Sequence, residues 1–250
     1  MKKKLAAAMA VVMVVGLSGC SLVGGSKFKK TSDKIVKAAE SACDAQEADK
    51  KVKKNMIKDF DPTDDLYEDG AYYKFSSDDV EDFKFELGGD DEVDTDDLKN
   101  VTIFAKNEDG KSMLVAIVLE AKDEDAAEDI FEGALKMTED LDEKDLKSAA
   151  KNSDLEYNID DESDDKFVMA VYSEDYGMAV DYYMVREGKV ITIIMYSGSP
   201  EADLLEEFYQ FMNDAKLEDM EEFLGAEDDD DDDDDEDDED EDDDEDEDDD

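Results

Sequence analysis

Apolar and polar positions along the chain repeat with two periods, and the period changes where one element gives way to the next. Between residues 31 and 57, Ile35, Val36, Ala39, Ala42 and Cys43 recur at three- and four-residue steps. That spacing predicts an N-terminal helix with a weakly apolar face, N-capped by Thr31, Ser32 or Asp33 and ended before Asp61-Pro62. Two-residue alternation follows at Tyr73 and Phe75, then at Phe83, Phe85 and Leu87, with Gly88-Gly89 as a turn. Val101, Ile103 and Ala105 alternate with Thr102 and Phe104, and Asn107-Glu108-Asp109-Gly110 carries a hairpin signal. Met113 to Leu119 is apolar throughout, the mark of a strand buried on both faces. Ala121 to Leu141 then predicts a helix with Ile130, Phe131, Ala134 and Leu135 turned inward.

The second half follows the same plan. Phe167–Tyr172 and Met178–Val185 read as strands, Arg186–Lys189 as a turn, and Val190–Tyr196 as another apolar strand. Pro200 opens a helix bearing Leu204, Leu205, Phe208, Met212 and Leu217. With Gly110 set over Gly188, residues 101–141 align with 179–219 at an offset of 78, as if one ββα unit were used twice. Unrelated strand-turn-strand-helix segments slid into register give the same match. Either way the pattern predicts an α+β fold: an antiparallel sheet with two helices on one face and the 31–57 helix covering the other. The expected domain runs from 31 to 224.

The N-terminal segment, residues 1–20, follows a different logic. Met1-Lys2-Lys3-Lys4 is positive, Leu5 to Val15 is apolar, and Leu17-Ser18-Gly19-Cys20 closes the segment. The arrangement is that of a signal peptide, and its last four residues resemble the lipobox of bacterial lipoproteins. The resemblance covers residues 1–20. It implies cleavage after Gly19, with residues 1–19 removed, and attachment of diacylglycerol to the Cys20 thiol, with a further acyl chain such as palmitate on the new amino group. Residues 20–30 then form a lipidated tether whose three lysines lie near anionic lipid. An uncleaved membrane-spanning helix is the alternative, since Leu5 to Ser26 carries no charge and is just long enough to span. Gly16, Gly19, Gly24 and Gly25 weaken such a helix.

Composition narrows the chemistry. The chain has 80 Asp+Glu against 27 Lys+Arg, a net charge of −53, with no His, no Trp and a single Arg, Arg186. Without His there is no Ser-His-Asp triad, Cys-His pair or imidazole metal ligand, and this much negative charge opposes nucleic acid. Glu227 to Asp250 is acidic at every position, so 225–250 is expected to be a disordered tail. The body between signal peptide and tail is acidic in its own right, with more than two Asp or Glu for each Lys or Arg across 20–226.

Several features bear on function. Cys43, the sole cysteine besides Cys20, lies on the apolar stripe of its helix with acids around it, and reads as a small core residue. Ser197-Gly198-Ser199-Pro200 stands where strand meets helix, a place for an anion or a Ser nucleophile, yet it is also ordinary punctuation. The tyrosines suit a sugar surface or half-buried sheet positions. The acidic loops 90–97 and 160–165 offer Asp90, Asp91, Asp94, Asp96, Asp160, Asp161 and Asp164 as ligands for loosely bound Ca2+ or Mg2+. Neither loop has the glycine of an EF-hand, and a chain this acidic makes such clusters without any site. The sequence thus predicts a lipid-anchored envelope protein outside the cytoplasm, a non-enzymatic interaction or ligand-binding module with a basic or envelope protein as partner. The alternative is a polyanionic surface protein that binds or buffers divalent cations.

Overall fold

A computed structural model describes residues 26–80, 95–136, 146, 150 and 154–225. The elements in chain order are α1 (Lys27–Ala42), β1 (Gln46–Glu47), α2 (Lys50–Lys58), β2 (Ala71–Phe75) and α3 (Ser77–Val80). Then come β3 (Leu98–Glu108), β4 (Ser112–Ala121), α4 (Glu124–Leu135), β5 (Glu156–Ser163), β6 (Lys166–Ser173) and β7 (Met178–Glu187). The last are β8 (Val190–Gly198), α5 (Asp203–Asp214) and α6 (Met220–Leu224). The strands form one sheet in the order β1-β2-β3-β4-β8-β7-β6-β5, antiparallel except for the short β1–β2 pair.

β4 and β8 take the centre because both of their faces are apolar. Leu114, Ala116 and Val118 join Ile194 and Tyr196 on one side, while Val115, Ile117 and Leu119 join Ile191 and Ile193 on the other. Helices cover both sides. Val52 and Met56 of α2, Val80 of α3 and Ile130 and Phe131 of α4 pack on the first face. Ile35 and Ala39 of α1, Phe208 and Phe211 of α5 and Met220 of α6 pack on the second. On that second face Phe211 stacks on Phe104 at 5.7 Å, an aromatic contact contributing about 0.5–1.5 kcal/mol beyond its buried area.

The α+β class is therefore as the sequence predicts, but the layering differs. The two helices after the central strands lie on opposite faces, not on one. The expected 31–57 helix is two helices, α1 and α2, also on opposite faces. Asp44, at φ 53, turns the chain out of α1, so the break needs neither Gly nor Pro. α1 starts earlier than its apolar stripe suggests: Ser26 is the N-cap, accepting from the Lys29 amide, and Ser32 is instead buried against Thr102 at 2.7 Å. The 160–165 stretch is not a loop, since Asp160 to Ser163 lie in β5 and only Asp164-Asp165 turn. The expected strand at Phe83–Leu87, the Gly88-Gly89 turn, the end of the predicted 121–141 helix and the acidic tail lie outside the described residues.

The two halves correspond in order about the β4–β8 pair, where Ala116 faces Ile194, its counterpart at an offset of 78. The correspondence slips by one residue in the outer strands. β3 reaches β4 through three residues, Asp109-Gly110-Lys111, whereas β7 reaches β8 through two, Gly188-Lys189. Side chains alternate across a strand, so a one-residue change swaps its faces. Phe104 shares the α5 face with Tyr183, whereas Tyr182, its counterpart at that same offset, lies on the other.

Candidate functional site

The second face holds the most unusual group of the fold. Along β7, Ala179, Asp181 and Tyr183 alternate toward α1 and α5, so strand geometry puts a carboxyl where two apolar neighbours are buried. Asp181 lies opposite Ala170 on one side and Tyr196 on the other, and is only 2% exposed. Among the described residues its carboxyl has no hydrogen-bond or ion-pair partner. Burial alone pushes it up to about 7, because the charged form has lost water and gained nothing in exchange. α5 lies over this point. Its Phe208 stacks on Tyr196 at 5.7 Å, and Tyr209 leans on Phe208 at 5.4 Å. The Tyr209 hydroxyl is raised by burial first and then by Asp181. The arrangement places a carboxyl whose proton loss is delayed to near neutral pH in an apolar layer.

Tyr209 also lines an open hollow of about 540 Å³ outside α5, with Pro200, Asp203, Glu206, Asn213 and Glu221 of α6. Its acidic side chains with one tyrosine suit a cationic group rather than an anion. The start of α5 is itself occupied. Ala202 at the N-cap has no side-chain bond to give, so the Glu108 carboxylate accepts from the Leu204 amide at 3.0 Å. Ser112 Oγ accepts from the Ser199 amide at 3.1 Å, and the Tyr196 hydroxyl donates to the Ser199 carbonyl at 2.7 Å. The Ser197–Pro200 junction is thus a packed corner, and what meets the α5 amides is a carboxylate of the chain itself.

The residues predicted from sequence are scattered. Cys20, Asp90, Asp91 and Asp94 lie outside the described residues. Asp96 sits in the short 3-10 turn Thr95–Asp97, and Asp164 is exposed at the β5–β6 turn. Asp160 accepts from Lys166 Nζ at 2.7 Å, and the same ammonium reaches Glu218 at 3.1 Å. Asp161 lies in β5 beyond Asp160. Among the described residues no three Cys, Asp or Glu side chains cluster to hold a metal. Cys43 caps α1 and is 1% exposed; burial, then Glu207, pushes its thiol up to about 12. Asp181 and Glu108 carried no signal of their own in a chain with 80 acids; only the inward parity of β7 could have singled out the first.

No family model matches the chain, and no curated protein does. Among solved structures it is similar to the extracellular domain of PknH from Mycobacterium tuberculosis, at 9% identity and a TM-score of 0.27. That match covers 48% of this chain and 66% of the other. A likeness this loose bears on neither fold nor function. Among the described residues no helix is long and apolar enough to cross a membrane.

Proposed function

We propose that the chain is an exported protein held at the cell envelope by lipid on Cys20, and that its folded body is a binding module rather than an enzyme. The observation that carries this reading is the placement of Leu17-Ser18-Gly19-Cys20 just ahead of α1, which begins at Lys27. A tether that short spans at most about 25 Å, so the body would be presented directly at the lipid surface. Two acyl signals on one cysteine give stable anchoring where one does not. The acidic hollow beside Tyr209 is the part of the body best suited to a partner, one that presents a lysine or arginine side chain.

The test has two arms. Labelling cells with an alkyne fatty acid should mark the wild-type chain and not Cys20→Ala; labelling of Cys20→Ala would remove the anchor. Crosslinked partners should then be compared between the full chain, a chain ending at Gly225, and Tyr209→Ala with Glu206→Gln. A partner kept by the first two at moderate salt and lost by the third supports recognition by the hollow. A partner lost with residues 226–250, or lost with salt as screening sets in, supports the cation-handling alternative.

A further inference from the structure

The positive charge of the chain is unevenly placed. Residues 27–58 carry ten Lys against five Asp and Glu, in a chain whose net charge is −53. In α1 the lysines are patterned: Lys27, Lys30, Lys34 and Lys37 recur at steps of three, four and three, and all four are exposed. That spacing makes one stripe along the helix, across from the buried Phe28, Ile35 and Ala39. Both acids of α1 reach across to β2, Asp33 while also acting on Lys29 and Lys37. Asp33 accepts from Lys74 of β2 at 2.6 Å, and Glu40 accepts from the Tyr72 hydroxyl at 2.7 Å. Lys27 meets Glu187 at 3.2 Å with both side chains half exposed, and Lys30, Lys34 and Lys37 have no ion-pair partner among the described residues. By contrast Lys106, Lys166 and Arg186 are each held by a carboxylate of the fold.

We propose that the acidic tail, residues 227–250, docks on the Lys27-Lys30-Lys34-Lys37 stripe of its own chain. Three observations support this occupant. The tail is an unbroken run of acids, which the acidic surfaces of the body repel, and the exposed lysines of α2 lie on the opposite face of the sheet. It leaves the fold after α6, which packs on the same sheet face as α1. α6 lies over β5 and β6 while α1 lies over β3 and β4, and β4 to β6 is three strand spacings, about 15 Å. The tail can extend on the order of 80 Å, so it has ample chain to cross. Being covalently attached, it reaches the stripe at a high effective concentration and outcompetes a free polyanion.

Carbodiimide, which joins carboxylate to amine without a spacer, tests this on the full chain at low salt, followed by peptide mapping of the monomer fraction. Tail crosslinks to Lys30, Lys34 and Lys37 should exceed those to the exposed Lys111 and Lys58 several-fold, and salt at about 0.5 M should abolish the preference. Ending the chain at Gly225 removes none of the described elements, so it serves as the second variant. It should raise acylation of the stripe lysines by a soluble amine reagent several-fold and leave Lys111 unchanged. Crosslinks spread evenly over all exposed lysines, crosslinks found only between molecules, or a stripe equally reactive with and without the tail would each overturn the proposal.

Discussion

Asp181 shows how one buried side chain adds a pH dependence of its own to the stability of the fold. Its carboxyl is raised from 3.8 to about 7 by burial, so below about pH 4 it is protonated in both the folded and the unfolded chain. Between about pH 4 and pH 7 the unfolded chain gives up the proton while the folded one keeps it. The contribution of Asp181 to stability therefore falls as pH rises through that window and levels off above it. Asp181→Asn keeps the shape and removes the ionisation. In denaturant titrations across pH 4 to 8 its advantage over wild type should grow, reaching on the order of 2–4 kcal/mol at pH 8. An advantage that is flat with pH would mean that Asp181 is ionised in the fold. Cys43 is the complementary case, because a thiol raised to about 12 and 1% exposed is neither a nucleophile nor accessible. Its alkylation rate should follow global unfolding, and fast reaction in native buffer would contradict the burial of α1.

Two close contacts decide how the elements join. Gly198 ends β8 against β4, and a Cβ there would stand 2.6 Å from Ser112 Cα, closer than carbon atoms tolerate. Gly198→Ala should cost about 1–3 kcal/mol in thermal or chemical unfolding. Glu108, at the end of β3, supplies the cap that Ala202 lacks, so Glu108→Ala should cost about 1 kcal/mol; no measurable loss would mean that water serves the Leu204 amide equally well. These contacts mark the limit of what the chain's pattern discloses. β4 and β8 were legible because Met113–Leu119 and Val190–Tyr196 are apolar on both faces. β5 was not, because only Tyr157 and Ile159 are apolar in its acidic run and an edge strand can leave the rest to solvent. The side on which each helix packs was hidden as well. It depends on chain direction after β4 and β8 and on turns that differ by a single residue, which leave hydrophobic periodicity unchanged. Asp181 was hidden for a related reason, since an inward acid looks like any other acid until the strand's neighbours fix its parity.

At the scale of the molecule the charge is divided by position. Lysines crowd residues 27–58, next to the cysteine that would carry lipid, and pure acid fills residues 227–250. If the chain sits on a surface as proposed, anionic lipid and the acidic tail compete for the lysines of α1. Every described element lies within residues 26–225. Thermal unfolding of a chain ending at Gly225 should match the full chain to within a few degrees at high salt, where tail charges are screened. A large loss of stability there would mean that the tail packs on the fold through more than charge. The proposed role at the envelope rests first on the anchor at Cys20, and intact-mass spectrometry of the native chain extracted from membranes reads that anchor out. The chain should begin at Cys20 and be heavier than its polypeptide by a diacylglycerol, with or without a further acyl group. A chain that keeps residues 1–19, or one that begins at Cys20 without added lipid, would contradict it.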